Sequence, residues 1–196
     1  MNCLFILHPS SFDSMRIIGI DPGLQITGYG VIDWKPVRPA LLDAGVIRLK
    51  LKTPLADRLV ELEAELDSLF AEHKPEVCAV EQLYSNYAHP RTAILMGHAR
   101  GVILLVARRR VVHVEEFAAN RIKQSLTGHG HAGKPQMQRA IQHQWNLKEP
   151  PEPPDVADAL AVALCCGQAI GIQRNAKGRI EPPRTAKHAK KDGLNI

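Results

Sequence analysis

Two short apolar runs, each ending in an acidic residue, constrain this chain more than any other feature of its sequence. The runs RIIGID at 16–21 and EVCAVE at 76–81 have the length of buried strands, and they end in Asp21 and Glu81. A carboxylate beside a strand interior costs free energy unless another group pairs with it or binds it. The two runs therefore predict a sheet that carries carboxylates at the ends of two buried strands.

The segments around these runs predict a mixed α/β fold. Pro22-Gly23 indicates a turn after the first run, and close spacing favours an antiparallel meander for the first three strands. A helix, strand four, a second helix, strand five and further helices follow, which predicts a mixed sheet covered by helices. We expect strands one and four to be neighbours, with the site at their carboxyl ends. The expected strands are 16–21, 27–33, one within 40–49 with Gly45 as a bulge, 76–81 and 111–114.

Helical patterns fill the intervals between the strands. Thr53 as N-cap and Pro54 as the first helical residue begin a helix whose leucines recur in steps of three and four, which is typical of a core-facing stripe. In the next helix, Gly97 and Gly101 allow close packing, either within the chain or between subunits. The later helices are expected at 92–109, 118–126, 135–145 and 155–171.

The charge distribution divides the chain into three parts. Residues 171–196 carry seven Lys or Arg and two acids, which equals the whole formal net charge of +5. We expect one domain at 15–172 and a basic, disordered tail at 173–196. Residues 1–14 are expected to be a dispensable, disordered extension or to arise from a start codon assigned too early. The tail is either simply solvated or attracts phosphate backbones without reading their sequence.

Several other classes of protein lack support in the sequence. No apolar stretch approaches the roughly 20 residues that span a bilayer, and the first residues lack the basic leader of a secretory signal. The four cysteines lack the C-x-x-C spacing of zinc sites. We therefore expect reduced thiols in a soluble, cytoplasmic protein.

Two further acids complete a candidate site. Asp155 and Asp158 are three residues apart, so they share a face near the start of the last helix. Taken singly, each acid has a simpler explanation, since strand-end acids are often just solvated and Asp155 can cap its helix. Converging carboxylates repel one another, and a hard cation such as Mg²⁺ relieves that repulsion. Two such ions about 4 Å apart can activate water and stabilise the leaving oxygen of a phosphodiester. Together with Asp21 and Glu81, these residues predict a magnesium-dependent nuclease.

A stretch without acids predicts contact with a polyanion. From Phe117 to Lys148 there is no Asp or Glu, while Arg121, Lys123 and Lys134 are basic. Such cations can hold a phosphate backbone while metal ions act on one bond, although an ordinary solvated face has the same composition. Tyr84, three residues after Glu81, is either a base-stacking residue or an ordinary core or loop tyrosine.

Four motifs resemble the RuvC family of crossover-junction endodeoxyribonucleases (Holliday-junction resolvases), and the likeness runs from Met15 to about Gly171. The resemblance implies a ribonuclease H-like fold with a five-stranded mixed sheet, three strands antiparallel and two parallel, flanked by helices. It also implies a homodimer that makes paired cuts in four-way DNA junctions and leaves 5′-phosphate and 3′-hydroxyl ends. The motifs are GIDPGLQITGYGVID at 19–33, AVEQLY at 79–84, AANRIKQSLTGHGHAGKPQMQ at 118–138 and DVADALAVAL at 155–164.

By the same resemblance, the family's metal-binding acids fall on Asp21, Glu81, Asp155 and Asp158. The junction-contacting aromatic falls on Tyr84, where phenylalanine is common, and the functional lysines fall on Lys123 and Lys134. The implied cofactor is Mg²⁺, two ions per site with Mn²⁺ able to substitute, and the implied partners are the RuvA and RuvB branch-migration proteins. The alternatives are an RNA-processing nuclease of the same fold, an actin-like phosphotransferase and a non-catalytic junction-binding protein.

Overall fold

The computed structural model describes residues 14–35, 37–50, 52–83 and 90–177 of the chain. Within these ranges the elements follow the order predicted from the sequence. The strands are β1 Met15–Asp21, β2 Ile26–Trp34, β3 Ala40–Arg48, β4 Val77–Glu81 and β5 His113–Phe117. The helices are α1 Leu55–His73, α2 Pro90–Arg109, α3 Ala119–Thr127, α4 Lys134–Trp145 and α5 Pro154–Lys177.

The five strands form one mixed sheet in the order β3-β2-β1-β4-β5. β1 pairs with β2 and β2 with β3 in antiparallel fashion, which confirms the predicted meander. β1 pairs with β4 and β4 with β5 in parallel, so strands one and four are neighbours as expected. Because β1 and β4 are parallel, the acids at their carboxyl ends lie at the same end of the sheet.

Alternating side chains divide the core into two layers, one on each face of the sheet. On one face, Ile17 and Ile32 pack with α5, and α3 and α4 complete that layer. On the other face, Ile18 and Val31 pack with α1 and α2. The leucine stripe of α1 belongs to this second layer, as predicted, with Leu62 fully buried.

Glycines in β1 and β2 let α5 lie directly on the sheet. A Cβ added at Gly19 would come within 2.2 Å of the Ala159 carbonyl oxygen, and one at Gly28 within 2.1 Å of the Asp155 carbonyl oxygen. Real Cβ atoms do not approach backbone atoms so closely, so any side chain at either position would push the helix away. The position of α5, and of the acids on it, therefore depends on these glycines.

Two local predictions about turns are wrong. Thr53 does not cap α1, because the residue before the helix is Pro54, with ψ at 152°, and Thr53 instead donates its hydroxyl to the Lys50 carbonyl oxygen at 2.6 Å. Gly45 is not a bulge, since it pairs directly with Tyr29. The register shifts instead between Val31 and Ile32. A Cβ added at Gly45 would lie 2.8 Å from the Tyr29 hydroxyl oxygen, so the Tyr29 side chain would have to shift.

The predicted bounds of the last strand and the last helix also differ from the structure. Strand five begins at His113 rather than Val111, because Val111 has φ at 60° and lies in the turn that ends α2. α5 continues to Lys177, six residues past its predicted end at Gly171. The expected extension and tail fall almost entirely outside the described residues.

Helix α5 also bears on the expected absence of a membrane span. The segment Pro154–Gly171 has the length and apolar composition to cross a bilayer, but 67% of it is buried inside the protein. The helix packs on β1 and β2 of the sheet. It therefore has the properties of a core helix and resembles a membrane span only in length and composition.

Candidate active site

The first two acids meet because their strands are parallel neighbours. The β1–β4 register pairs Ile20 with Val80, so Asp21 and Glu81 are the next residues on adjacent strands. Side chains alternate along each strand, and Ile17 and Val77 pack on the α5 face. Asp21 and Glu81, each four residues further on, therefore project from that same face.

The other two acids come from the start of α5, which lies on β2 beside Asp21. Gly28 is the cross-strand partner of Asp21, and the same glycine contacts the Asp155 backbone. Asp158 follows one turn later on the same side of the helix. One glycine thus connects the strand acid with the helix acids.

The charges of the four carboxylates influence one another through their pKa values. Burial, followed by the charges of Asp158, Glu81 and Asp155, raises the pKa of Asp21 to about 8. Burial and the charge of Asp158 raise the pKa of Glu81. Burial is also the main cause of the raised pKa of Asp158. Ionising these carboxylates in the folded protein therefore costs free energy. A bound cation would offset that cost.

The donor set suits a hard divalent cation. All four groups are carboxylates, and oxygen ligands are those that Mg²⁺ and Mn²⁺ prefer. Among the described residues, no group of three or more His, Cys, Asp or Glu is already arranged to hold a metal ion. The residues therefore fit a metal site in donor chemistry and in electrostatics.

Two lysines from the acid-free stretch lie beside the acids. Lys123 lowers the pKa of Glu81 and of Asp158, against the larger effect of burial. Lys134 lowers the pKa of Asp21 and of Asp158 in the same way. Lys123 lies on α3, and Lys134 begins α4 after a loop of glycines and histidines. The structure thus brings both predicted lysines to the carboxylates.

Of the two remaining predicted residues, the structure describes only Arg121. The Arg121 guanidinium lies over the Phe117 ring, 5.1 Å from its centroid, on an exposed part of α3. The structure gives it no contact with the four carboxylates. Tyr84 lies outside the described residues, so its predicted role stays a prediction.

Sequence reasoning missed the residues that hold the β1–β2 turn directly after Asp21. Thr27 is fully buried, and its hydroxyl donates to the Gly23 carbonyl oxygen at 2.5 Å. From α1, the Arg58 guanidinium donates to the Leu24 carbonyl oxygen at 3.3 Å. The position of Thr27 between two glycine-containing segments could have indicated its role in the turn. No local feature of the sequence indicates the role of Arg58.

Comparison with known proteins identifies a family. The model of the crossover junction endodeoxyribonuclease RuvC family matches residues 17–166. A RuvC from Rhodopirellula baltica is 50% identical over 149 residues, which cover 76% of this chain and 84% of the relative. The Thermus thermophilus RuvC structure superposes with a TM-score of 0.72 at 32% identity and covers 80% of this chain and 96% of that one.

The same Thermus thermophilus protein has been solved in complex with a Holliday junction substrate, and that structure matches with the same TM-score of 0.72. A yeast mitochondrial Holliday junction resolvase, Ydc2, matches with a TM-score of 0.58 at 16% identity, which supports the fold alone. The predicted ribonuclease H-like α/β fold is therefore confirmed.

Proposed function

The chain belongs to the RuvC family of crossover junction endodeoxyribonucleases, and we propose that Asp21, Glu81, Asp155 and Asp158 are its metal-binding catalytic residues. As a member of that family it is a metal-dependent Holliday junction resolvase that acts in DNA recombination and repair. The observation that supports this assignment most is the raised pKa of Asp21 among three other carboxylates. No other group of acids among the described residues perturbs its members in this way.

The carboxylates act by presenting oxygen ligands from two rigid elements, the β1–β4 strand pair and the start of α5. We propose Mg²⁺ as the natural ion, with two ions per site and Mn²⁺ as an effective substitute. When bound, such ions supply an activated water and stabilise the leaving oxygen of the phosphodiester. Strands and helix starts keep the ligands in fixed positions, which in-line attack requires.

Lys123 and Lys134 have a separate role in this proposal. Their ammonium groups lie near the carboxylates and balance part of the negative charge, which favours the ionised form of the acids. The same groups attract the DNA phosphates next to the scissile bond. We propose that cleavage leaves a 5′-phosphate and a 3′-hydroxyl. In this scheme Arg121 and Tyr84 also contact the DNA.

An exposed face of α2 supports a homodimer. Ile94 is 60% exposed and Leu105 is 48% exposed, and Gly101 lies between them on the same side of the helix. A Cβ added at Gly101 would meet nothing within 4 Å among the described residues. A helix-interior glycine costs roughly 0.5–1 kcal/mol relative to alanine, so close approach of a second subunit explains its presence. Two subunits would then cut the two opposed strands of one junction.

We further propose RuvA and RuvB as the partners of this protein, and the cytoplasm as its compartment. Both proposals follow from family membership. Burial raises the pKa values of the three buried thiols at Cys78, Cys165 and Cys166, which suits unreactive, reduced cysteines.

A junction-cleavage assay tests the proposed function. Synthetic four-way junctions, linear duplexes and RNA hairpins are incubated with the protein in Mg²⁺, Mn²⁺, Ca²⁺ or chelator. We expect paired nicks in the junction with Mg²⁺ and with Mn²⁺, and binding without cleavage in Ca²⁺. The product ends are identified by ligation, which requires a 5′-phosphate beside a 3′-hydroxyl.

Some outcomes would contradict the proposal. Equal cleavage of junctions in chelator would exclude metal-dependent chemistry at these acids. Preferential cutting of RNA hairpins would favour an RNA-processing nuclease of the same fold. Binding of junctions without cleavage under every metal would indicate a non-catalytic binding protein.

A further inference from the structure

The carboxyl end of β3 carries two exposed cations that alternate with buried apolar residues. Arg48 and Lys50 are exposed, while Ile47 and Leu49 are 6% and 5% exposed and pack in the α1–α2 layer. Since neighbouring side chains on extended backbone point to opposite faces, both cations project from the α5 face. Asp21 and Glu81 project from the same face.

The backbone that carries these cations is held on both sides. The Leu49 amide donates to the Gln25 carbonyl oxygen at 3.1 Å, which continues the β2–β3 pairing past the end of β3. The Lys50 carbonyl oxygen accepts from the Thr53 hydroxyl at 2.6 Å and from the Thr53 amide at 3.2 Å. The two cations therefore start from a preorganised segment rather than from a loose loop.

Sheet register puts Arg48 close to the acids. Asp21 pairs with Gly28, Gly28 pairs with Val46, and Arg48 is two residues further along β3. Two strand spacings of about 4.8 Å and two residues of about 3.3 Å give roughly 12 Å between the Cα atoms of Asp21 and Arg48. One DNA strand covers that distance in about three nucleotides.

The charges of Arg48 and Lys50 are available to an external anion. Neither Arg48 nor Lys50 forms an ion pair with an acid in the part of the chain that the structure describes. In contrast, Arg109 pairs with Glu63 at 2.8 Å, and Arg16 pairs with Asp33 at 3.0 Å. Lys123 acts on Glu81 at the end of β4, and β4 lies on the other side of β1 from β3.

From these observations we infer that Arg48 and Lys50 form a second phosphate-binding flank, which holds the DNA backbone on the β3 side of the scissile bond. The inference rests on the proposed function, because it places DNA across the four acids. Cations on both flanks would fix the strand on each side of the reacting phosphate. The contact is to phosphate and carries no sequence preference of its own.

A paired-variant binding experiment tests this flank. Arg48→Gln/Lys50→Gln keeps much of each aliphatic stem and removes two charges. The matched control, Lys35→Gln/Arg38→Gln, removes the same two charges from exposed residues before the start of β3. β3 has nine residues, so the control lies roughly 30 Å away. Binding to a four-way junction and to a linear duplex is measured in Ca²⁺ over a series of salt concentrations.

We expect the Arg48→Gln/Lys50→Gln variant to weaken binding about tenfold per lost contact at 0.1 M salt, and to reduce the salt slope by about two. The control should keep the wild-type affinity and slope. Each single variant, Arg48→Gln or Lys50→Gln, should show about half of the change in slope. Thermal unfolding should be unchanged in all of them, because the substituted side chains are exposed.

Wild-type affinity and slope in the Arg48→Gln/Lys50→Gln variant would overturn the inference, even if junction cleavage remained intact. Equal losses in the variant and the control would overturn it as well, because they would indicate only a general charge effect. If the wild type failed to cleave junctions but its duplex binding still depended on Arg48 and Lys50, the proposed function would fail while the phosphate-binding flank remained.

Discussion

The two ends of the sheet differ in whether their charged side chains have partners of opposite charge. Where β1 begins, Arg16 pairs with Asp33 at 3.0 Å, donates to the His73 carbonyl oxygen at 3.0 Å, and its amide donates to Glu76 at 3.0 Å. Where β1 ends, Asp21 meets three other carboxylates, and its pKa rises to about 8. One end satisfies its charges with partners inside the chain, whereas the other leaves repulsion unrelieved.

This difference shows which end of the molecule stabilises the fold and which is reserved for chemistry. Charges paired within the chain contribute a little stability and need nothing from outside. Clustered carboxylates reduce stability, and proteins keep them where a ligand compensates. Stability and activity should therefore respond separately to changes at the two ends, and the predictions below test that separation.

The largest effect is expected from Asp21→Asn and Asp158→Asn at the site end. Loss of one charged ligand should lower junction cleavage by at least about 10²–10³-fold, since the transition state loses electrostatic stabilisation. Junction binding in Ca²⁺ should remain. Cleavage rates and binding isotherms measure the two properties, and undiminished cutting by either variant would exclude the assigned role.

A smaller effect is expected from Gly28→Ala, which changes no charge. The new Cβ would press on the Asp155 carbonyl, so the start of α5 should shift. Unfolding should become easier by about 1–3 kcal/mol, and misplacement of the acids by about 1 Å can cost about 10²-fold in rate.

The matched control for this change is Gly30→Ala. Its Cβ would meet the Leu160 side chain, whose flexible end can move. This variant should lose stability but keep more of its cleavage rate. Equal rate losses at Gly28 and Gly30 would show that Gly28 has no special part in placing Asp155.

The next largest effect is expected in the pH dependence of stability, which Asp21 should change. Asp21 has a folded pKa of about 8, above its ordinary value of 3.8, so between these pH values the folded state binds more protons than the unfolded state. The stability of the metal-free protein should therefore fall as pH rises from about 4 to about 8, by at most about 1.4 kcal/mol per pH unit for this proton.

Chemical unfolding in chelator at pH 5, 6, 7 and 8 measures this dependence. The Asp21→Asn variant should give a flatter profile than the wild type, because it removes the group with the largest shift. Parallel profiles for the two proteins would mean that the pKa of Asp21 is not raised in the folded protein.

The smallest effect is expected at the opposite end of the sheet, from Arg16→Ala. The ion pair with Asp33 is partly exposed, so its loss should cost about 1 kcal/mol of unfolding free energy. Junction cleavage should be unchanged at temperatures where the variant is folded. Arg109→Ala, whose side chain is 62% exposed, is the control and should cost less. A cleavage defect in Arg16→Ala would contradict the proposal that the two ends of the sheet affect stability and activity separately.

Much of this arrangement could be predicted because its signals are local. Asp21 and Glu81 follow short apolar runs, and a buried strand of that kind places its last residue at one end of the sheet. The α1 stripe likewise follows from the period of a helix. Local signals failed where neighbours decide the conformation. Strand five begins at His113 because Val111 turns with φ at 60°, although its sequence favours a strand.

The sequence by itself determined the order of elements, the chemistry of the four acids and their places at element ends, because those depend on nearby residues. Only the tertiary structure decided that Gly28 is the residue on which Asp21 and Asp155 meet, and that Arg48 shares their face. Both facts depend on strand register and on how closely α5 approaches the sheet. Register and approach arise from pairings between distant segments, which no single stretch of residues specifies.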